Sequence, residues 1–201
     1  MGVFLVQAVL ISLTGVMAPG PITAVTIAKG SESRHAGAWI AIGHGVVEFP
    51  LMVLIFYGFT KWLKCKGLQI GVGLAGGVLL LLLGLSMFQA VRMDVVRHRY
   101  RGSAITAGMV LTGGNPYFFV WWATIGSGLM IRAITYGVVC VVLFMILHWM
   151  TDLSWCYFLS NITYGGRRFF GERFQKIVFA ICGAFLLFMG VKFILDAIKL
   201  L

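Results

Sequence analysis

The stretch Met17-Ala18-Pro19-Gly20-Pro21 interrupts an apolar run that begins Gly2-Val3-Phe4-Leu5-Val6. Two prolines and a glycine in three residues break a helix. Proline removes a backbone donor and clashes with the preceding turn, and glycine adds backbone freedom. The run is long enough to cross a bilayer, so the break falls inside a membrane segment. Such a break leaves backbone groups that lipid cannot pair, and it must face protein or a water-filled cavity.

The rest of the chain agrees with a membrane solvent. Of 201 residues, 60% are hydrophobic and 11% charged, against about 25% charged in soluble domains. Runs of about 20 apolar residues are needed to span the hydrocarbon core. They are predicted near 3–28, 36–60, 68–91, 103–131, 133–160 and 176–198. The connections are short and basic or glycine-containing, with a turn expected at Arg132, and they leave no room for a soluble domain. Residues 1–201 therefore read as one membrane domain.

The net charge of +10 comes from Lys and Arg set mostly between the apolar runs. This pattern suits loops facing anionic lipid; no basic stripe with interleaved aromatics suggests nucleic acid. Ten of the 16 Lys and Arg lie on the side of the first, third and fifth connections. That bias predicts a cytoplasmic location for those loops and extracytoplasmic termini. It also places Asn161-Ile162-Thr163 inside, where the glycosylation-like triplet is a coincidence. The first 20 residues lack the charged start of a signal peptide, and Val6 stands where a myristoylation pattern needs Ser or Thr. Cys65, Cys140, Cys156 and Cys182 form no C-x-x-C pair and read as small hydrophobes.

The two halves, 1–100 and 101–201, share an order of features. The first has Thr14-Gly15 and Pro19 in its first helix, then His44 and Glu48 in its second. The second has Thr112-Gly113 and Asn115-Pro116, then His148 and Asp152. Three spans per half is an odd number, so such a repeat must be inverted in the membrane. The expected fold is all-α and integral to the membrane. Its six transmembrane helices form two inverted three-helix repeats, with the first and fourth helices broken. After each break the chain can restart as a half-helix, with free N–H groups on Ile22, Thr23 and Ala24, and on Tyr117, Phe118 and Phe119. Two positive helix ends meeting at mid-membrane would hold a carboxylate. Pro19, Gly20, Pro21, Asn115 and Pro116 are thus substrate-binding candidates, with Asn115 able either to cap its half-helix or to touch substrate.

Glu48 and Asp152 are the acids that fall well inside the spans. A charge there costs about 2.5–3.5 kcal/mol on insertion scales, which makes each a candidate for ammonium binding or proton coupling. His44 lies four residues before Glu48, and His148 four before Asp152, so each pair shares a helix face; both histidines are candidates for the proton path. Trp155 falls near the second stripe. Thr14, Thr23 and Thr26 either line the first helix or bond their own backbone. The rings of the run Tyr117–Trp122 either pack against lipid or a neighbouring helix, the first reading, or line a substrate cavity. Pro50 is expected to kink the second helix, Gly73 and Gly77 to permit close helix contact or chain pairing as a homodimer, and Lys192 to pair with Asp196.

The block Met17–Pro21, then Arg34–Gly43 (RHAGAWIAIG), resembles the LysE/RhtB-type amino-acid exporters, which carry a Pro-Gly-Pro motif in the first helix and spaced glycines in the second. Gly113–Thr124 (GGNPYFFVWWAT) resembles the Asn-Pro motif of the second half, in a variant to which Asp152-Leu-Ser-Trp155 also fits. The resemblance covers nearly the whole chain. It implies export of amino acids or related metabolites across the cell membrane, with Pro19, Gly20, Pro21, Asn115 and Pro116 as motif positions and no cofactor. Val47 departs from the family's usual glycine, which bears on substrate. A divalent-metal exporter is the alternative, because two His and two carboxylates are plausible metal ligands. The absence of H-E-x-x-H, G-x-S-x-G and a cysteine pair argues against an enzyme.

Overall fold

The computed structural model describes residues 1–59, 66–92, 102–166 and 172–200. Cys65 and several of the loop lysines and arginines counted above lie outside them. Every regular element among the described residues is helical. The helices are α1 (Gly2–Val16), α2 (Pro21–Gly30), α3 (Ala36–Leu54), α4 (Lys66–Arg92), α5 (Ala104–Gly113), α6 (Pro116–Trp121), α7 (Ser127–Thr135), α8 (Val138–Gly165) and α9 (Glu172–Leu200). Wide π-type turns extend α3 through Ile55–Phe59 and join α6 to α7 through Trp122–Gly126.

Among the described residues, four helical stretches are long and apolar enough to cross a membrane: Ala36–Gly58, Pro116–Thr135, Val138–Gly165 and Lys176–Leu200. Counted as one broken span, the pair α1 and α2, bent by 79° at the Pro-Gly-Pro break, makes a fifth. Shorter apolar stretches lie at Gly73–Gln89, within the 27-residue α4, and at Ala104–Gly113, which together with Pro116–Thr135 covers the expected fourth span. The second is short because Asn115-Pro116 stops it after 10 residues, about 15 Å of rise. Both anticipated breaks are therefore present. The outer faces remain apolar, with Val3, Val139 and Phe188 exposed, as a lipid-facing surface requires.

Some local readings need correction. Arg132 lies in the last turn of α7, and the chain reverses later, at Tyr136-Gly137. Gly137 has φ 92°, a conformation glycine adopts without a Cβ penalty. Pro50 lies inside α3, where proline removes one backbone hydrogen bond without ending the helix, and wide π-type turns follow from Ile55. Asp196 pairs with Lys199 at 3.5 Å, not with Lys192; acid before base is the favoured order along a helix. The Asn161 triplet lies inside α8, with Thr163 buried and its hydroxyl donating to Leu159 O at 2.7 Å. Cys140, Cys156 and Cys182 are buried free thiols.

Three of the α4 glycines meet α9. A Cβ at Gly73 would strike Ala197, at Gly77 the Gly190 carbonyl and Ile194, and at Gly84 the Gly183 carbonyl. This close seam joins α4 to α9, so the stripe that suggested pairing between chains is already covered. One apolar cluster joins Phe4, Met52, Trp122, Met130 and Phe144; a second joins Ala24, Leu80, Phe179 and Leu186.

Candidate functional site

Two glycine contacts bring the titratable residues together. A Cβ at Gly43 would land on the carbonyl of Ile105, and one at Gly108 on the carbonyl of Ile40. Backbone contact between α3 and α5 therefore sets His44 beside Thr112. A Cβ at Gly37 would land on the Cys156 carbonyl, so α3 lies equally close to α8. That approach sets His44 and Glu48 opposite His148 and Asp152.

All four side chains are buried, Glu48 with 1% of its surface exposed. Glu48 Oε1 lies 3.1 Å from His148 Nε2 and 3.2 Å from His44 Nε2. It also accepts from Trp122 Nε1 at 3.2 Å. Asp152 stands further back: Oδ1 is 3.6 Å from His44 Nε2, and Oδ2 is 3.9 Å from His148 Nε2. Glu48 Oε2 and Asp152 Oδ2 have no hydrogen-bond partner.

The far nitrogen of each ring is anchored by a hydroxyl. His148 Nδ1 lies 2.7 Å from Ser12 Oγ, and His44 Nδ1 lies 2.8 Å from Thr112 Oγ1. Each hydroxyl already donates its single proton to its own helix: Ser12 to Ala8 O at 2.7 Å, Thr112 to Gly108 O at 2.6 Å. Each must then accept from the imidazole, which assigns the Nδ1–H to both histidines. The Nε2 atoms face the carboxylates. In a neutral ring that nitrogen carries a lone pair, and a lone pair facing a carboxylate oxygen is unfavourable without a cation between them. A proton, an ammonium group or a metal ion would satisfy the arrangement.

The two breaks differ. At the first, Gly20 is extended and Pro21 opens α2. The N–H of Ala24 bonds Gly20 O at 3.0 Å, leaving Ile22 and Thr23 as the open donors, one fewer than expected. At the second, Asn115 Oδ1 accepts from Tyr117 N at 3.1 Å, and Phe118 N donates to Asn115 O at 3.1 Å. Asn115 thus caps its own half-helix and closes that end. The expected pair of equivalent positive ends is reduced to one.

A cavity of about 90 Å³ joins these parts. A water needs roughly 10–15 Å³ on this measure, so it has room for several waters or a small solute. Pro19, Gly20, Pro21, Thr23, Asn115 and all four members of the His–carboxylate quartet line it. Trp121, Trp122 and Trp155 line it too, and Trp121 stacks on His148 with ring centroids 5.0 Å apart. Pro116 does not line it and instead packs where a Cβ on Gly76 would lie. Thr14 is on the surface, bonded to Ile11 O at 2.6 Å, and Thr26 is buried away from the cavity.

Sequence reasoning does not name Ser12, and it does not foresee the bonds that Thr112 and Trp122 make to the quartet. Thr112 stands out only as part of Thr112-Gly113 beside the second break, and Ser12 carries no signal. Trp122 reads only as a ring of the Tyr117–Trp122 run, for packing or cavity lining, and its bond to Glu48 cannot be read from the sequence.

The profile of the LysE type translocator family matches residues 13–197, both breaks and the quartet included. The chain belongs to this family. A LysE type translocator is a membrane transporter, so the cavity lies in a chain built to move a small molecule across a bilayer. No curated protein and no solved structure matches the chain.

Proposed function

We propose that this LysE type translocator exports amino acids or closely related zwitterions from the cytoplasm, driven by protons. The observation that carries the reading is that one cavity offers complementary groups at separate places. The open N–H groups of Ile22 and Thr23, at the positive end of α2, suit a carboxylate. The unpaired oxygens of Glu48 and Asp152 suit an ammonium. Pro19, Gly20 and Pro21 shape the first subsite, and Asn115 holds the wall opposite.

The quartet supplies the coupling. A proton bound between Nε2 of His44 or His148 and the carboxylates fills the place that the ammonium takes when substrate binds. Proton and substrate then exclude each other, which is the requirement for exchange across the membrane. Alternating access follows if the two halves, 1–100 and 101–201, are inverted three-helix repeats that rock about this cavity. In support, the anchoring bonds cross between the halves in matched fashion: Ser12 of the first holds His148 of the second, and Thr112 of the second holds His44 of the first. The Lys and Arg bias orients the chain in the cell membrane with both termini outside.

The test is efflux of amino acids from dipeptide-fed cells carrying the wild type, Glu48→Gln or an empty vector, with all medium amino acids quantified. Wild type is expected to release one amino acid or a related group faster than vector. Glu48→Gln is expected to lose that efflux while still reaching the membrane. Equal efflux from all three, with protein in the membrane, overturns the reading.

A further inference from the structure

We infer that His44, Glu48 and Asp152 form a binding site for a borderline divalent cation of the zinc, cobalt and nickel class. One ligand atom from each of the three lies within 4.8 Å of the others. Contraction of this group onto an ion is short. A tetrahedral ion with bonds of about 2.0–2.1 Å holds its ligand atoms about 3.3 Å apart. His44 Nε2 is 3.2 Å from Glu48 Oε1 and 3.6 Å from Asp152 Oδ1. The second of these is too long for a hydrogen bond but near the ligand-to-ligand spacing.

Three further features point to an ion. The Glu48 carboxylate has 1% of its surface exposed, yet its Oε2 has no partner; Asp152, 9% exposed, likewise leaves Oδ2 unpaired. His44 is prepared as ligating histidines are: its Nδ1–H is held by Thr112 Oγ1 at 2.8 Å, which directs the Nε2 lone pair at the acids. His148 stands behind Glu48, with Nε2 3.1 Å from Oε1 and Nδ1 on Ser12. Nitrogen together with two carboxylates suits zinc, cobalt or nickel. Calcium needs six to eight oxygens and magnesium a near-regular octahedron, neither of which three such ligands supply. With three protein ligands, one position remains open to the cavity.

The site goes beyond amino-acid export and rests on its geometry alone. Its ligands come from α3 and α8, so a bound ion would tie the two halves together and occupy the place of the substrate ammonium.

The test uses the full chain, purified in detergent and stripped with a chelator, titrated with Co²⁺. Wild type is expected to bind one equivalent with the intense visible d–d bands of a low-coordinate site. Zn²⁺ should displace it, and millimolar Mg²⁺ or Ca²⁺ should not. His44→Asn and Asp152→Asn, checked for folding by gel filtration, should weaken binding about 100-fold or more. Thr112→Val keeps every ligand and should weaken it by about 10- to 100-fold, with rescue by Thr112→Ser. Absence of d–d bands in folded wild type overturns the site, as do bands that persist unchanged in His44→Asn and Asp152→Asn. Because the readout is spectroscopic, a failure here leaves the efflux result untouched, and the reverse also holds.

Discussion

His148 Nδ1 lies 2.7 Å from the Ser12 hydroxyl, joining two residues 136 positions apart in the chain. The bond fixes the ring so that Nε2 faces Glu48, and the same arrangement recurs between His44 and Thr112. Ser12→Ala should therefore leave His148 Nδ1–H without an acceptor in a buried place. An unpaired buried donor costs about 1–3 kcal/mol. The expected result is a lower unfolding midpoint in detergent and reduced transport, both restored by Ser12→Thr. An unchanged midpoint and rate would show that the bond contributes nothing.

Trp122 both packs in the core and donates to Glu48 Oε1 at 3.2 Å. Trp122→Phe keeps most of the ring and removes the donor. A hydrogen bond to a charged group is worth about 1.5–3 kcal/mol, so transport should fall by at least about tenfold with folded protein still in the membrane. A variant as active as wild type would show that the indole serves packing alone.

Gly43 carries the contact between α3 and α5, and a methyl there would meet the Ile105 carbonyl. Backbone cannot step aside as a flexible side chain can. Gly43→Ala should destabilise by about 1–3 kcal/mol through overpacking and move His44 away from Thr112. Gly71→Ala, with nothing within 4 Å of its added methyl, is the control and should be neutral or slightly stabilising. Thermal unfolding of the two side by side decides the matter.

Asn115 caps α6 through its Oδ1. Asn115→Ala should cost about 1 kcal/mol and Asn115→Ser much less. If the side chain acts only as a cap, transport will track stability in both. A rate loss in Asn115→Ser without a stability loss would show contact with substrate.

Gly20 is extended, at φ −160°, and a Cβ there would meet nothing closer than Ala18 O at 3.9 Å. Neither its backbone angle nor its space demands glycine in this conformation. Gly20→Ala should fold with an unchanged midpoint. Because Gly20 lines the cavity, a transport loss with an unchanged midpoint would place the added methyl in the path of the substrate.

The membrane class, the two helix breaks and the four buried titratable residues were all legible in the sequence, for one reason. Each follows from a local rule that holds whatever the surroundings: apolar length spans lipid, proline ends a helix, and residues four apart share a face. The tertiary structure alone decided what depends on pairing across distant segments. It placed Glu48 within reach of both histidines and left Asp152 apart, because glycine contacts at Gly37, Gly43 and Gly108 set α3 against α8 and α5. It closed the half-helix after Asn115 and left the one after Pro21 open, because only asparagine has a side-chain oxygen to cap with. It also used three of the α4 glycines on α9, a choice of partner that spacing cannot specify.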